Sequence, residues 1–172
     1  MEDITIREMG EEDCPQVSRL QCASFEFGAE RAGFGAAQIA DYFLKRGSEE
    51  AIKTQFHAYH CLVACGASDI VGVIGIKDSE ITKLYVDPSH LGQGIGTSLF
   101  AAASEIIAQS GHQDLWLGTI FPATLPFYQA MGMSESGRKT VGFGPMVGAE
   151  SILLKKALHC SEEAEQGAPV DC

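Results

Sequence analysis

The sequence predicts a single α/β domain in which a mixed, strongly twisted sheet joins an antiparallel meander to a parallel strand pair, with helices on both faces. Apolar runs at residues 62–65, 70–76 and 81–86 are separated by turns of a few residues, and such short connections allow only antiparallel neighbours. The long helix that follows can serve as a crossover, so the run at 115–117 should lie parallel to the strand at 81–86.

The remaining elements follow from hydrophobic periodicity and turn residues. The N-terminal half is predicted to hold a strand near residues 4–9, helices at 13–25, 37–45 and 49–58, and a glycine-bearing loop at 27–35. The C-terminal half is predicted to hold a helix from 95 to a stop at Gly111, a short helix at 122–131, and strands at 133–138 and 151–155.

Length and charge bound the class of protein. The 172 residues suit one domain at 1–158, followed by an acidic, small-residue tail at 159–172 that we expect to be disordered. With 12 basic and 23 acidic residues the formal net charge is −11, which argues against a nucleic-acid-binding face. An acidic surface would steer a cationic substrate inward, although solubility is the simpler interpretation.

The sequence gives no sign of a membrane span or of a metal site. It has no apolar stretch of about 18 residues and no signal-peptide pattern at its start, so we expect a cytoplasmic protein. His57, His60, Cys61 and Cys65 are close in sequence, but neighbours in a strand point to opposite faces and no zinc spacing occurs. Structural thiols are therefore favoured over metal ligands, and disulfides are not expected.

Three glycines at alternate positions open the helix predicted after residue 94. Gly92, Gly94 and Gly96 would let a ligand approach the main chain, where the first-turn amides of a helix have no partner of their own. Those amides and the positive end of the helix dipole favour phosphate, and Thr97 and Ser98 add hydroxyl groups. The stretch therefore predicts a site for a phosphorylated cofactor or substrate.

The spacing excludes two common phosphate loops. A P-loop needs a lysine directly after its last glycine, and none follows here. A dinucleotide-binding fingerprint needs G-x-G-x-x-G directly after its strand, whereas here the pattern is G-x-G-x-G and residues 87–91 intervene.

The stretch resembles the acetyl-CoA-binding motif of the GNAT-type N-acetyltransferases, in which a strand and a turn lead to [Q/R]-x-x-G-x-[G/A] at a helix start. Here the motif is Leu91-Gly92-Gln93-Gly94-Ile95-Gly96, with leucine in the place of Gln or Arg. The resemblance implies acetyl-CoA as co-substrate, its pyrophosphate on the loop amides and its pantetheine arm along the preceding strand. The implied contact residues are Leu84, Tyr85, Val86, Leu91, Gly92, Gln93, Gly94, Ile95, Gly96, Thr97 and Ser98.

A second stretch resembles the family's later signature, F-Y-x-x-x-G-[FM]. It begins at Phe127 and Tyr128 and ends at Gly132 and Met133. The resemblance implies that Tyr128 protonates the departing CoA thiolate. The asparagine that the family often carries upstream is replaced by Phe121, which removes one expected hydrogen bond to pantetheine.

Attack on a thioester needs a neutral amine, and a carboxylate can take up the proton directly or through water. In the family this base often comes from the strand before the loop, which implies Glu80, with Asp78 behind it; a solvated turn residue is the plain alternative. Main-chain amides at 84–86 could polarise the thioester carbonyl. No nucleophilic triad is visible, so we expect direct transfer without a covalent acyl-enzyme.

The sequence thus predicts transfer of an acetyl group from acetyl-CoA to a primary amine on a small molecule, a peptide or a protein. The segment 25–34, with Glu26, Glu30 and Arg31, and the glycine-rich excursion at 141–148 are expected to wall the acceptor site, and their mixed aromatic and acidic character would suit an amine. The alternative is a non-catalytic CoA-binding sensor or interaction module, which the changes at Leu91 and Phe121 favour and the intact Tyr128 disfavours. A homodimer is left open.

Overall fold

The computed structural model describes residues 3–159 of the protein. Within them the strands are β1 (Thr5–Glu8), β2 (His60–Cys65), β3 (Ile70–Lys77), β4 (Glu80–Val86), β5 (Asp114–Thr119), β6 (Ser134–Thr140) and β7 (Glu150–Ala157). The helices are α1 (Cys14–Arg31), α2 (Ala36–Tyr42), α3 (Glu49–Ala58), α4 (Ile95–Gln109) and α5 (Leu125–Ala130). Short 3₁₀ turns lie at Glu11–Asp13, Pro88–His90 and Pro122–Thr124, and a π-helical turn lies at Phe43–Gly47.

The strands form one sheet in the order β1-β2-β3-β4-β5-β7-β6. The pair β4–β5 is parallel, and the other neighbouring pairs among the described strands are antiparallel. The predicted α/β class, the meander and the parallel pair are therefore confirmed. The tail predicted at 159–172 lies, from residue 160 on, outside the described residues, and the single-domain assignment stays a prediction.

Helices cover both faces of the sheet because its central strands are apolar on both faces. Strand β3 is buried at every position except Lys77. Helix α4 packs on one face through residues such as Leu99 and Phe100, and α1 and α3 pack on the other through residues such as Val17 and Ile52. No helix in the part of the chain from residue 3 to 159 is long and apolar enough to cross a membrane.

Helix α1 is longer than predicted, so the loop expected at 27–35 is wrong for its first half. The helix runs to Arg31 and keeps its apolar face through Phe25 and Ala29, which are both buried. The residue that ends it is Gly33, at a φ of +81°, and the Phe34 amide closes the turn by donating to the Ala29 carbonyl at 2.9 Å. The periodicity of the apolar residues therefore predicts the end of α1 better than the presence of Gly28, which lies inside the helix.

A bulge in β4 and a short parallel contact open the sheet at its centre. Opposite β3, Ile76 faces Ile81 and Gly75 faces Lys83, so Thr82 is an extra residue in β4. In the described structure β4 and β5 are registered at one pair, Glu80 with Trp116. Beyond that pair the two strands no longer hydrogen-bond, and the edge of β4 faces an open space.

Candidate active site

A cavity of about 1160 Å³ fills the space between the separated ends of β4 and β5, and we call it the groove. Its walls come from β4, the turn after it, the first turn of α4, the end of β5 and α5. Tyr128 lines the groove together with nine of the predicted cofactor residues, which are Leu84, Tyr85, Val86, Leu91, Gly92, Gly94, Ile95, Gly96 and Thr97. Gln93, Ser98 and Glu80 do not line it.

The turn before α4 has the geometry of an anion site. Gly92 and Gly94 adopt φ angles of +78° and +81°, and a Cβ atom on either would meet nothing within 4 Å. The amide of Ser98 donates to the Gly94 carbonyl at 3.0 Å, so the amides before it have no acceptor within the helix. Left-handed glycines, open space and unpartnered amides at a helix N-terminus fit a phosphate group.

Gly96 has a different role from the two glycines before it. A Cβ atom there would lie 3.2 Å from Cζ of Phe127 and 3.6 Å from Cγ2 of Val86. The missing side chain therefore lets α5 and β4 close in on the first turn of α4. Gly92 and Gly94 are therefore required for their left-handed backbone, and Gly96 is required for close packing.

The turn between β4 and α4 is fixed by a side-chain cap. Asp87 accepts a hydrogen bond from the Ser89 amide at 2.8 Å, at the start of the turn Pro88–His90. Hydrogen bonding by Ser89 also lowers the pKa of Asp87, so the carboxylate stays ionised in the cap. This cap sets the direction in which the chain enters the glycine turn.

Tyr128 lines the groove from α5. The residue is 8% exposed, and its ring meets that of Phe127 edge-on at a centroid distance of 5.1 Å. Its hydroxyl has no hydrogen-bond partner among residues 3–159. Burial is the main cause of a raised pKa for Tyr128, with the Tyr85 hydroxyl adding to it, so the phenol stays protonated at physiological pH.

Aromatic rings and hydroxyl groups form the inner wall of the groove. Phe25 stacks on Tyr42 with ring centroids 3.4 Å apart, and Tyr42 shares a 2.7 Å hydrogen bond with the hydroxyl of Tyr85. Gln21 donates to the Tyr42 hydroxyl at 3.0 Å. These residues come from α1, α2 and β4, and no local pattern in the sequence predicts that Gln21 and Tyr42 meet.

A second cavity of about 380 Å³, which we call the side cavity, lies behind that wall. It shares with the groove the residues Tyr42, Thr82, Lys83, Tyr85, Ile120 and Met146. Glu80 lines the side cavity, so the structure puts Tyr128 and Glu80 in adjoining spaces instead of one. Burial is the main cause of a raised pKa for Glu80, against an opposing effect of Lys139 and Lys77.

Lys83 lies between the two cavities and was not singled out by its sequence position. It is 8% exposed, and its Nζ donates to Oε1 of Gln55 at 3.1 Å and to Oε1 of Gln21 at 3.4 Å. One sequence feature points to it: Lys83 occurs two residues after Ile81 and two before Tyr85, in a strand that is otherwise apolar at these positions.

Comparison with known proteins decides the family. A family model described as an acetyltransferase (GNAT) domain matches residues 28–145, which is more than half of the chain. The chain belongs to the GNAT acetyltransferase family. The resemblance read from the glycine turn and from the Phe127–Tyr128 signature is therefore confirmed.

Individual relatives agree with the family assignment. An uncharacterized N-acetyltransferase of Methanocaldococcus jannaschii is 33% identical over 75 residues, and the match covers 42% of this chain but only 33% of that protein. A GCN5-related N-acetyltransferase structure from Rhodopseudomonas palustris superposes with a TM-score of 0.82 at 20% identity, covering 92% of this chain and 98% of that one. The PaiA N-acetyltransferase of Thermoplasma acidophilum, solved in complex with coenzyme A, gives 0.73 at 18% identity, with 91% and 99% covered. Structural likeness at these identities establishes the GNAT fold.

In this GNAT domain the two departures from the family motifs have visible consequences. Leu91 is 51% exposed at the rim of the glycine turn. Phe121 lies edge-on to Phe25 at 5.6 Å and to Phe34 at 6.2 Å, and it closes on Gly28 of α1. The ring therefore supplies apolar packing that ties α1 to the groove.

The expected acceptor walls stay a prediction, and the structure shows which of their residues line a cavity. Segment 25–34 does line the groove, through Phe25, Phe27, Gly28, Arg31 and Phe34, whereas Glu26 and Glu30 line neither cavity. The excursion contributes Met146 to both cavities. The wall is aromatic rather than acidic.

The histidines and cysteines considered as metal ligands have other surroundings. His60 is hydrogen-bonded to Glu8 at 2.7 Å, and Cys61 is buried in the core with a raised pKa caused mainly by burial. Across residues 3–159 no group of three or more His, Cys, Asp or Glu side chains is arranged to hold a metal ion.

The Thr82 hydroxyl at the bulge yields a test of stability. Its oxygen is buried and has no hydrogen-bond partner among the described residues, a state that costs about 1–3 kcal/mol. Thr82→Val should therefore raise the free energy of unfolding by about 1 kcal/mol in urea denaturation.

Thr119→Val is the matched control. The Thr119 hydroxyl accepts from the Phe121 amide at 3.1 Å and lies 3.1 Å from the Thr124 hydroxyl, so its removal should lower the free energy of unfolding by about 1 kcal/mol. An equal loss of stability in both variants would mean that the Thr82 hydroxyl has a partner in solution.

Proposed function

We propose that this GNAT domain transfers an acetyl group from acetyl-CoA to a primary amine. The observation that carries the proposal is the glycine turn, whose unpartnered amides open onto a groove that Tyr128 also lines. The structural likeness to a CoA-bound N-acetyltransferase supports it.

Different parts of the groove suit the pyrophosphate and the pantetheine arm of the cofactor. The pyrophosphate would lie on the amides of residues 92–97, with the hydroxyls of Thr97 and Ser98 nearby; the Ser98 amide is already used within the helix. Leu84 and Val86 pair with β3 on one side, and their other edge has no partner strand in the described sheet. That free edge could hydrogen-bond the pantetheine arm and polarise the thioester carbonyl.

The transfer then divides into one bond made and one bond broken. The amine nitrogen attacks the thioester carbonyl, the carbon–sulfur bond breaks, and the thiolate takes a proton from Tyr128, whose phenolate regains a proton from solvent before the next turnover, when Glu80 also returns its proton to solvent. The amine's own proton passes to Glu80, through water, because Glu80 lies in the adjoining side cavity. The raised pKa of Glu80 makes it a stronger base than a solvated glutamate.

A non-catalytic CoA-binding module is the second candidate. Phe121 supports it, because an aromatic ring stands where the family often places a hydrogen-bonding asparagine. Such a module would bind acetyl-CoA without turning it over.

Release of the CoA thiol from acetyl-CoA, measured across a panel of primary amines, separates the two candidates. The acetyltransferase should release thiol in equal amount to the acetylated amine formed. Saturable binding of acetyl-CoA with no amine-dependent release would establish the module instead, and the absence of both would end the proposal.

Substitution of Gly94 tests the phosphate site. Valine at this left-handed position would project into the open space in front of the amides, so Gly94→Val should lose acetyl-CoA binding. At about 100 times its dissociation constant, acetyl-CoA should stabilise the wild type by roughly 2.7 kcal/mol and so raise its melting temperature. The melting temperature of Gly94→Val should not rise with acetyl-CoA.

Gly111→Val is the control for backbone strain. Gly111 follows the other end of α4, has a φ of +88°, and is equally free of neighbours within 4 Å. Gly111→Val should lower the melting temperature of the free protein about as much as Gly94→Val does. Its melting temperature should still rise with acetyl-CoA as much as that of the wild type. Normal binding by Gly94→Val would place the phosphates elsewhere.

Tyr128→Phe tests the proton donor. The ring and its packing are kept, so acetyl-CoA affinity should stay near wild type while kcat falls by roughly 10²-fold. Because the pKa of Tyr128 is raised, the wild type should show no loss of activity from Tyr128 ionisation up to about pH 9. A near-normal kcat at unchanged affinity would remove Tyr128 from the mechanism.

Glu80→Gln tests the base. The variant should lose activity without losing stability. The wild-type kcat/KM should rise with pH through the raised pKa of Glu80, and the variant should lose this rise and fall by roughly 10²-fold. Because the folded protein holds this proton more tightly than the unfolded chain, ionised Glu80 costs stability above its folded pKa. The variant should therefore melt no lower than wild type at neutral pH.

Glu105→Gln, at an exposed glutamate of α4, serves as the control and should change neither property. Loss of both stability and activity in Glu80→Gln would indicate a structural role for Glu80.

A further inference from the structure

The buried ammonium group of Lys83 lacks an acidic partner. Both of its acceptors, on Gln21 and Gln55, are uncharged amide oxygens, and no ion pair joins it to a carboxylate within residues 3–159. Burial is the main reason that its pKa is lowered, against an opposing effect of the Cys61 and Cys14 thiols, and it reflects the cost of a buried charge that no carboxylate compensates.

The amides are themselves held in place. Gln55 and Gln21 both donate from Nε2 to the Arg46 carbonyl, at 2.8 and 3.1 Å, and Gln21 also donates to the Tyr42 hydroxyl at 3.0 Å. Each glutamine thus presents its oxygen to Lys83 and keeps its nitrogen turned away. The network fixes the lysine at the boundary of the side cavity.

The side cavity carries an excess of positive charge, although the whole protein has a formal net charge of −11. Of its described lining residues, Arg46, Lys77 and Lys83 are cationic, and Glu80 is the one carboxylate. Its volume of about 380 Å³ lies at the small end of the range for small-molecule sites. Lys83 and Arg46 suit a carboxylate, and Glu80 suits an ammonium group.

We propose that the acceptor is a free amino acid, which binds in the side cavity with its carboxylate against Lys83. The inference rests on the proposed acetyl transfer and names the substrate class of the same site. With the carboxylate held there, the α-amine lies between Glu80 and the adjoining groove, where the thioester would be. A peptide or protein amine would leave Lys83 without its counter-charge.

Thiol release from acetyl-CoA measures the preference directly. A set of L-amino acids spanning the side-chain types is compared with the corresponding L-amino acid amides, which keep the α-amine and lack the carboxylate. Wild type should use the best acids with a kcat/KM at least about tenfold above that of their amides, the range expected for a hydrogen bond to a charged group.

Lys83→Met should abolish this preference, because methionine keeps the length and bulk of the side chain and removes its charge. The kcat/KM for the acids should fall by about 10- to 100-fold and that for the amides should change by less than about twofold. Lys53→Met, at an exposed lysine of α3, should leave both values as in wild type.

Two results would overturn the proposal. One is a wild type that acetylates amides or other carboxylate-free amines as well as the acids. The other is an equal loss for acids and amides in a folded Lys83→Met protein, which would make Lys83 structural. The wild-type comparison needs no variant, and a protein that releases thiol with no amine at all refutes the acetyl transfer itself rather than this inference.

Discussion

The groove depends on the way in which β4 and β5 separate. The strands are parallel neighbours in the sheet, but in the described structure they are registered only at Glu80 and Trp116. The bulge at Thr82 changes the course of β4 at the point where the separation begins. A continuous parallel ladder would have used the main-chain groups of residues 84–86, and no space for a ligand would remain.

The other parts of the site are arranged around that opening. The Asp87 cap directs the chain from the end of β4 into the glycine turn, and Gly96 lets α5 approach closely enough to bring Tyr128 to the groove. On the opposite wall, Phe25 stacks on Tyr42, which lines both the groove and the side cavity. Stability is given up at the same place, since the Thr82 hydroxyl lacks a partner and Lys83 lacks a counter-charge.

Local patterns in the sequence predicted the features that local physics controls. The short turns between apolar runs required the meander, and the spacing of the glycines identified the start of α4. The helix predicted at residues 49–58 is confirmed as α3. Ser48 caps its first turn by accepting a hydrogen bond from the Ala51 amide. The end of α1 was wrong because a glycine in mid-helix was given more weight than the apolar spacing around it.

The side cavity could not be predicted because it has no local signature. Gln21, Tyr42, Gln55 and Lys83 come from four different elements, and each one alone is an ordinary polar residue of a helix or strand. Glu80 was selected by its position relative to the glycine turn, yet only the three-dimensional structure shows that it faces a different space from Tyr128.

Amide chemical shifts of the ¹⁵N-labelled protein during titration with acetyl-CoA would locate the cofactor site. We expect saturable shifts concentrated in residues 84–86 and 92–98, because these residues either line the groove or are next in sequence to residues that do. Saturable shifts centred elsewhere, with these amides unchanged, would contradict the assignment of the groove as the acetyl-CoA site.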